Sequence, residues 1–155
     1  MVHAALHTRA CDLFGIEYPI VQTGMGWVST AELTAATSEA GGIGFLATAT
    51  QTFDEMKAAV HQIKDATAKP FGINVRTDAP DIEDRLDWAV AEGVGVVSFA
   101  QAPRPDMVAR LKDQGVVTIP TIGARRHAEK VAEWGVDAVI AQGQEGGGHT
   151  GNVPT

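Results

Sequence analysis

Short, continuous apolar runs alternate with helix-patterned stretches along the whole chain, about every 20 to 25 residues, and no other feature constrains the fold as much. The apolar runs fall at residues 19–24, 43–47, 71–75, 94–99, 116–119 and 136–141. Between them the pattern predicts helices over 30–40, from 52 onward, and over 81–92, 105–114 and 124–134. Ser29 or Thr30 serves as the first of these helices' N-cap, and Gly41-Gly42 stops it. Thr52 and Glu55, three apart, form a capping box for the next, whose Phe53, Met56, Val60 and Ile63 share one face. Leu86 and Val90 point inward from the helix over 81–92.

Strands that are apolar on both faces belong in a parallel sheet covered by helices. Glycine recurs at the joins from helix to strand (Gly41-Gly42, Gly93, Gly115 and Gly135), where a helix C-terminus wants a left-handed residue. Uninterrupted β/α repetition favours a TIM (β/α)8 barrel over a doubly wound sheet, and no G-x-G-x-x-G turn follows the first strand. About six of the eight β/α units are legible, and such barrels typically take ~250 residues, against 155 here. Six strands leave two open edges. The expectation is that residues 1–155 are the N-terminal portion of one barrel domain, completed by a further C-terminal segment or by another chain.

Composition narrows the function. A formal net charge of -7 argues against nucleic acid or an anionic membrane as the main partner. No run approaches the ~18 apolar residues of a membrane span, and residues 1–10 lack the apolar stretch of a signal peptide. A single cysteine, Cys11, excludes an internal disulfide and fits a reducing compartment. These features lead us to expect a cytoplasmic protein.

In a barrel of this kind the chemistry lies beyond the C-terminal strand ends, and the sequence places distinctive residues there. Thr23, Gly24, Met25, Gly26 and Trp27 follow the first strand; Asn74 and Arg76 end the third. Ser98 and Gln101 close the fourth, and Thr121 the fifth. After the sixth comes the densest signal, Gln142-Gly143-Gln144-Glu145-Gly146-Gly147-Gly148-His149-Thr150-Gly151. So many glycines cost backbone entropy and contribute nothing to packing. They suit a main chain that must lie close to a flat or charged ligand beneath one imidazole; a flexible loop with a solvated histidine is the plainer reading. Asn74 inside an apolar strand needs a polar partner, and a ligand edge or neighbouring backbone serves equally well.

Other polar and aromatic residues suggest less. Glu145 and His149 are four apart, but the glycines between them make a helical metal pair improbable. Cys11 reads as inert, and Trp88 and Trp134 as packing residues. His127 and the pair Arg125-Arg126 read as a solvated face, whereas Trp27 alone of the tryptophans sits where a ligand would be.

The segments Pro19-Ile20-Val21-Gln22-Thr23-Gly24-Met25-Gly26, Gly72-Ile73-Asn74-Val75 and Gln142 to Gly151 together resemble the nitronate monooxygenase family, formerly 2-nitropropane dioxygenases. The flavin-dependent enoyl reductases of fatty-acid synthesis share a similar Glu-x-Gly-Gly-His motif. The resemblance runs from about Leu13 to the last residue and implies an FMN-binding TIM barrel. It implies that Gly24, Met25, Gly26, Asn74, Gln142, Gly147 and Gly148 contact the flavin and that His149 is the catalytic residue. It also places the FMN-phosphate loops on the last two strands of the full barrel, beyond the six read here.

Three function classes follow. A nitronate monooxygenase oxidises alkyl nitronates or nitroalkanes with O2, using His149 as base. A flavin-dependent reductase or dehydrogenase acts on enoyl or steroid-derived CoA thioesters, with NAD(P)H as electron donor where it reduces; the run Gln22 to Trp27 is most similar to relatives of that kind in steroid-ring breakdown. The third class is a non-catalytic, incomplete barrel. The first two share a small-molecule substrate and leave homo-oligomers open.

Overall fold

The computed structural model describes residues 3–147 and residue 154. A 3-10 turn at Ala4–Leu6 leads into helix α1 (Arg9–Phe14). Strand and helix then alternate: β1 (Val21–Gln22), α2 (Ala31–Glu39), β2 (Ile43–Ala47), α3 (Phe53–Ala66), β3 (Phe71–Val75), α4 (Ile82–Ala91) and β4 (Val96–Phe99). The order continues through α5 (Pro105–Asp113), β5 (Val117–Ile122), α6 (Arg125–Ala132) and β6 (Ile140–Ala141). All six strands are parallel and stand in the sheet in the order of the sequence. Each strand after the first is thus added beside its predecessor on the same edge, which curls the sheet into part of a (β/α)8 barrel.

The helix ends follow from local chemistry. Thr30 caps α2 by accepting from the Leu33 N–H, which leaves Ser29 for another task described below. Gly41, Gly93, Gly115 and Gly135, at the four joins nominated by sequence, have φ of 93°, 85°, 76° and 79°, a region that side chains with a Cβ avoid. Thr52 and Glu55 form the expected reciprocal capping box on α3. The Glu55 carboxyl is held below its usual range by the Thr52 backbone N–H first and the Thr52 hydroxyl second. Its contribution is therefore present above the unfolded carboxylate range and is lost as pH falls through the lowered folded value. Thr52→Ala is expected to cost about 1 kcal/mol near neutral pH, read from the shift in urea midpoint.

Two apolar clusters lie on opposite faces of the sheet. The convex face packs Leu46, Ile73, Val75, Val97 and Phe99 against Met56, Val60 and Ile63 of α3, Leu86 of α4 and Met107 and Leu111 of α5. The concave face holds Ile43, Phe45, Val96 and Ile119, closed by Cys11, Phe14 and Ile16. Helix α1 was not foreseen, because six residues with only Cys11 and Phe14 buried give too little periodicity to detect. Its function is to cover the concave face, and it leaves Cys11 buried.

Several boundaries differ from those read in the sequence. Strands β1 and β6 are only two residues long, since each is paired on one side alone. Strand β5 runs past Pro120 to Ile122. Its ladder to β4 ends at Pro120 and its ladder to β6 begins at Thr121, so the missing N–H falls at the changeover. On α4, Leu86 is buried as expected, Val90 only partly, and Arg85 takes an inward position. Among the described residues no helix is long and apolar enough to cross a membrane.

Candidate functional site

In-register residues of neighbouring parallel strands point to the same side, so the pairing fixes which residues share the concave face. One layer is Phe45, Gly72, Val96 and Val117; the next, toward the C-terminal strand ends, is Ala47, Asn74, Ser98 and Ile119. Gly72 gives way to the Phe45 ring, whose Cδ1 would lie 2.6 Å from a Cβ at that position. The lower layer is thus packed with apolar groups, and polar groups appear one layer up.

Asn74 and Ser98 form that polar step. Asn74 Nδ2 donates to Ser98 Oγ at 2.8 Å and to the Ser98 carbonyl at 3.4 Å. With its donors directed at β4, the amide carbonyl is left as the group able to meet a ligand, and no donor reaches Oδ1 among the described residues. Thr48, almost fully buried, anchors the strand end by donating its hydroxyl to the Asn74 carbonyl at 2.8 Å. Gly24 lies directly on Asn74: a Cβ there would sit 2.6 Å from Asn74 Cγ and 2.8 Å from Oδ1. The absent side chain at Gly24 is therefore explained by its contact with Asn74. Gly26, at φ 36°, has only Thr50 Cγ2 near its missing Cβ, at 3.9 Å.

The β1–α2 loop that carries these residues is pinned from below. The Ser29 hydroxyl, 1% exposed, accepts from the Met25 N–H and from Gln22 Nε2, each at 2.8 Å, and donates to the Thr23 carbonyl at 2.8 Å. Sequence reading considered Ser29 only as a helix cap. Its real task could have been suspected from a small hydroxyl residue that directly precedes a better cap, Thr30. In the same loop Met25, Trp27 and Val28 stand 40%, 85% and 62% exposed.

At the opposite end of the sheet, the Gln142 N–H bonds the Ile122 carbonyl, continuing the line of β6. The Gln142 side chain lies over Gly146, whose Cβ would fall 3.0 Å from Gln142 Nε2. Glu145 turns back to accept from the Gly143 N–H at 3.1 Å. Gly147 is exposed and has open space where a Cβ would be. Gly148 and His149, nominated as flavin-contacting and catalytic, lie outside the described residues. Among the described residues there is no cluster of three potential metal ligands.

Of the other strand-tip residues, Arg76 is exposed and clamps Asp78 through two bonds of 3.0 and 2.6 Å. The Arg76 hydrogen bonds are the chief cause of an Asp78 carboxyl below its usual range. Gln101 accepts from the Thr77 hydroxyl at 3.4 Å. Trp88 packs edge-on to Phe53, and Arg125 pairs with Glu129 on an exposed face.

Two larger cavities flank this centre. One, of about 940 Å3, is lined by Val21, Thr23, Phe45, Ile119 and Ile140 together with α1, so the two edge strands look at each other across the concave face. The other, of about 510 Å3, opens between the loops after β2 and β3. At its wall Arg85, 8% exposed, pairs with Asp81 at 2.8 Å and donates to the Gln51 carbonyl at 3.0 Å. Arg85 was missed as a structural tie, although it shares the inward spacing of Ile82, Leu86 and Ala89.

The described residues fit a planar, heteroatom-edged ring. The side-chain carbonyl of Asn74 is oriented by Ser98, and a Cβ at Gly26 would meet only Thr50 Cγ2, at 3.9 Å, among the described residues.

The chain is 57% identical over 150 residues to the (3aS,4S,5R,7aS)-5-hydroxy-7a-methyl-1-oxo-octahydro-1H-indene-4-carboxyl-CoA dehydrogenase of Mycobacterium tuberculosis, covering 97% of this chain and 42% of that protein. The nitronate monooxygenase of Paraburkholderia phytofirmans is 30% identical, with 90% of this chain and 49% of that protein covered. Among solved structures, FabK from Thermotoga maritima superposes with a TM-score of 0.91 at 38% identity, over 96% of this chain and 48% of that one. Nitroalkane oxidase from Streptomyces ansochromogenes gives 0.83 at 34%, over 93% and 51%. The chain spans about half the length of the curated relatives it matches. The nitronate monooxygenase family model matches residues 7–92 and 83–155, and the chain belongs to that family.

Proposed function

We propose that residues 1–155 form the N-terminal portion of a single FMN-binding barrel domain, and that the whole protein is a flavin-dependent oxidoreductase acting on CoA thioesters of fused-ring acids. The observation that carries this reading is the identity of 53–57% to two indene-carboxyl-CoA dehydrogenases. Relatives named for nitronate oxidation share 24–30%. A second reading, oxidation of alkyl nitronates or nitroalkanes with O2, is favoured by the family model and by the nitroalkane oxidase superposition.

In either reading FMN, when bound, supplies the redox chemistry. The chain's own residues hold and surround it. Gly24, Met25 and Gly26 line one side of the ring, with the thioether of Met25 as a soft cover. The Asn74 side-chain carbonyl, oriented through Ser98, would accept a hydrogen bond from the ring edge, and the Gln142 amide would face the same edge. Gly147 and Gly148 let the main chain lie against the ring. His149 takes the proton from the carbon next to the thioester carbonyl or the nitro group; a neutral imidazole is a competent base near pH 7.

The test uses the full-length protein under argon. The fused-ring acyl-CoA is expected to bleach the yellow flavin band, and admitting air should restore it. Bleaching by propionate 3-nitronate with no response to the acyl-CoA would move the assignment to the second reading. A chain that purifies without flavin and takes none up would overturn both.

A further inference from the structure

We propose that Trp27, flanked by Met25 and Val28, is the platform on which the apolar ring system of the substrate thioester rests, and that Trp27 sets the preference for fused-ring over short acyl groups. The proposal rests on the acyl-CoA reading given above. It starts from an apparent waste: consecutive loop positions expose a tryptophan at 85% and a valine at 62%, two positions from a methionine at 40%. Exposed apolar side chains are unremarkable singly, but a contiguous group of them beside a site marks a binding surface.

The loop is not loose. Ser29 fixes Thr23 and Met25 through its hydroxyl, and the Val28 N–H bonds the Met25 carbonyl at 2.7 Å. The indole is therefore carried on a backbone that is already ordered, so covering it costs little additional loop entropy. The same loop touches the candidate flavin site, because Gly24 lies on Asn74. Met25, Gly26 and Trp27 directly follow Gly24 in the same ordered loop, and Gly26 and Trp27 line one cavity.

Direction separates a substrate from other occupants. Trp27 lines a small cavity of about 250 Å3 with Thr50 and Gln51 of the loop after β2 and Glu55 of the first turn of α3. The unpaired edges of β1 and β6 instead border the concave cavity on the other side of β1, lined by Val21, Val139 and α1. The Trp27 cavity shares no lining residue with that one. Its wall combines an aromatic face with the polar groups of Thr50 and Gln51. That pairing suits an alicyclic ring system bearing oxygen substituents better than a flat, wholly apolar protein surface.

The experiment compares wild-type, Trp27→Ala and Trp27→Phe forms of the full-length, flavin-loaded protein with octahydroindene-carboxyl-CoA and with butyryl-CoA. Trp27→Ala is expected to raise KM for the fused-ring thioester about tenfold or more, as for losing one buried aromatic contact. KM for butyryl-CoA should stay within about twofold, and Trp27→Phe should recover most of the discrimination. A merely structural role would weaken both thioesters together, leaving their ratio unchanged, and that result overturns the proposal. So does a Trp27 emission that is already blue-shifted without ligand and shifts red only when a dimer dissociates, which would assign the surface to a second copy. Failure of the wild type to bind any acyl-CoA would instead reject the acyl-CoA reading, and the platform with it.

Discussion

Gly44→Ala is expected to destabilise the protein by about 3 kcal/mol, the upper part of the range for overpacking a filled interior. Gly44 is fully enclosed on the convex face of β2, in register with Gln22 and Phe71. A Cβ there would lie 2.7 Å from Thr34 Cα and 2.8 Å from its carbonyl carbon, and nearer still to the carbonyl oxygen. These are backbone atoms of α2, so no side-chain rotation relieves the clash and the helix must lift from the sheet. Lifting it also breaks the bond from the Gly44 N–H to the Ser38 hydroxyl at 3.2 Å. Gly95→Ala supplies the comparison, since a Cβ at Gly95 meets nothing within 4 Å and the backbone there is not left-handed. Urea midpoints decide the matter: a shift no larger for Gly44→Ala than for Gly95→Ala would show that α2 is not seated on β2 as described.

His149→Ala in the full-length protein is expected to cut turnover about 10²–10⁴-fold, the usual contribution of a positioned proton-transfer group, while the flavin spectrum stays intact. The expectation comes from sequence, because His149 follows the Gly146-Gly147-Gly148 run beyond β6 and lies outside the described residues. A base must be neutral to accept a proton, so in the wild type kcat/KM should fall toward acid pH, and the rising limb should vanish in His149→Ala. Loss of flavin in the variant would make His149 a binding residue. Unchanged turnover with the limb retained would remove it from the proton path.

How far each element is legible in the sequence depends on how local its determinants are. Thr52 and Glu55 lie three residues apart, and both partners of the capping box are visible in the chain. Strands β2 and β3 were readable to the residue because both faces of each are covered and every position along them is constrained. The ends of β1 and β6 were not, since an edge strand pairs only as far as its one neighbour allows. Helix α1 lacked a readable period, although the concave core depends on it.

For the site, sequence alone determined the order of parallel β/α units, the left-handed glycine joins, and the set of strand ends on which polar residues collect. Each of these follows from a backbone preference or a hydrophobic period spanning a few neighbouring residues. Only the tertiary structure decided that Gly24 is small because Asn74 occupies its place, that Ser98 orients the Asn74 amide, that Ser29 fastens the first loop, and that Arg85 is buried. Those contacts join residues on different strands and loops, and their distances depend on strand register and on the curl of the sheet, which arise only when the elements pack together.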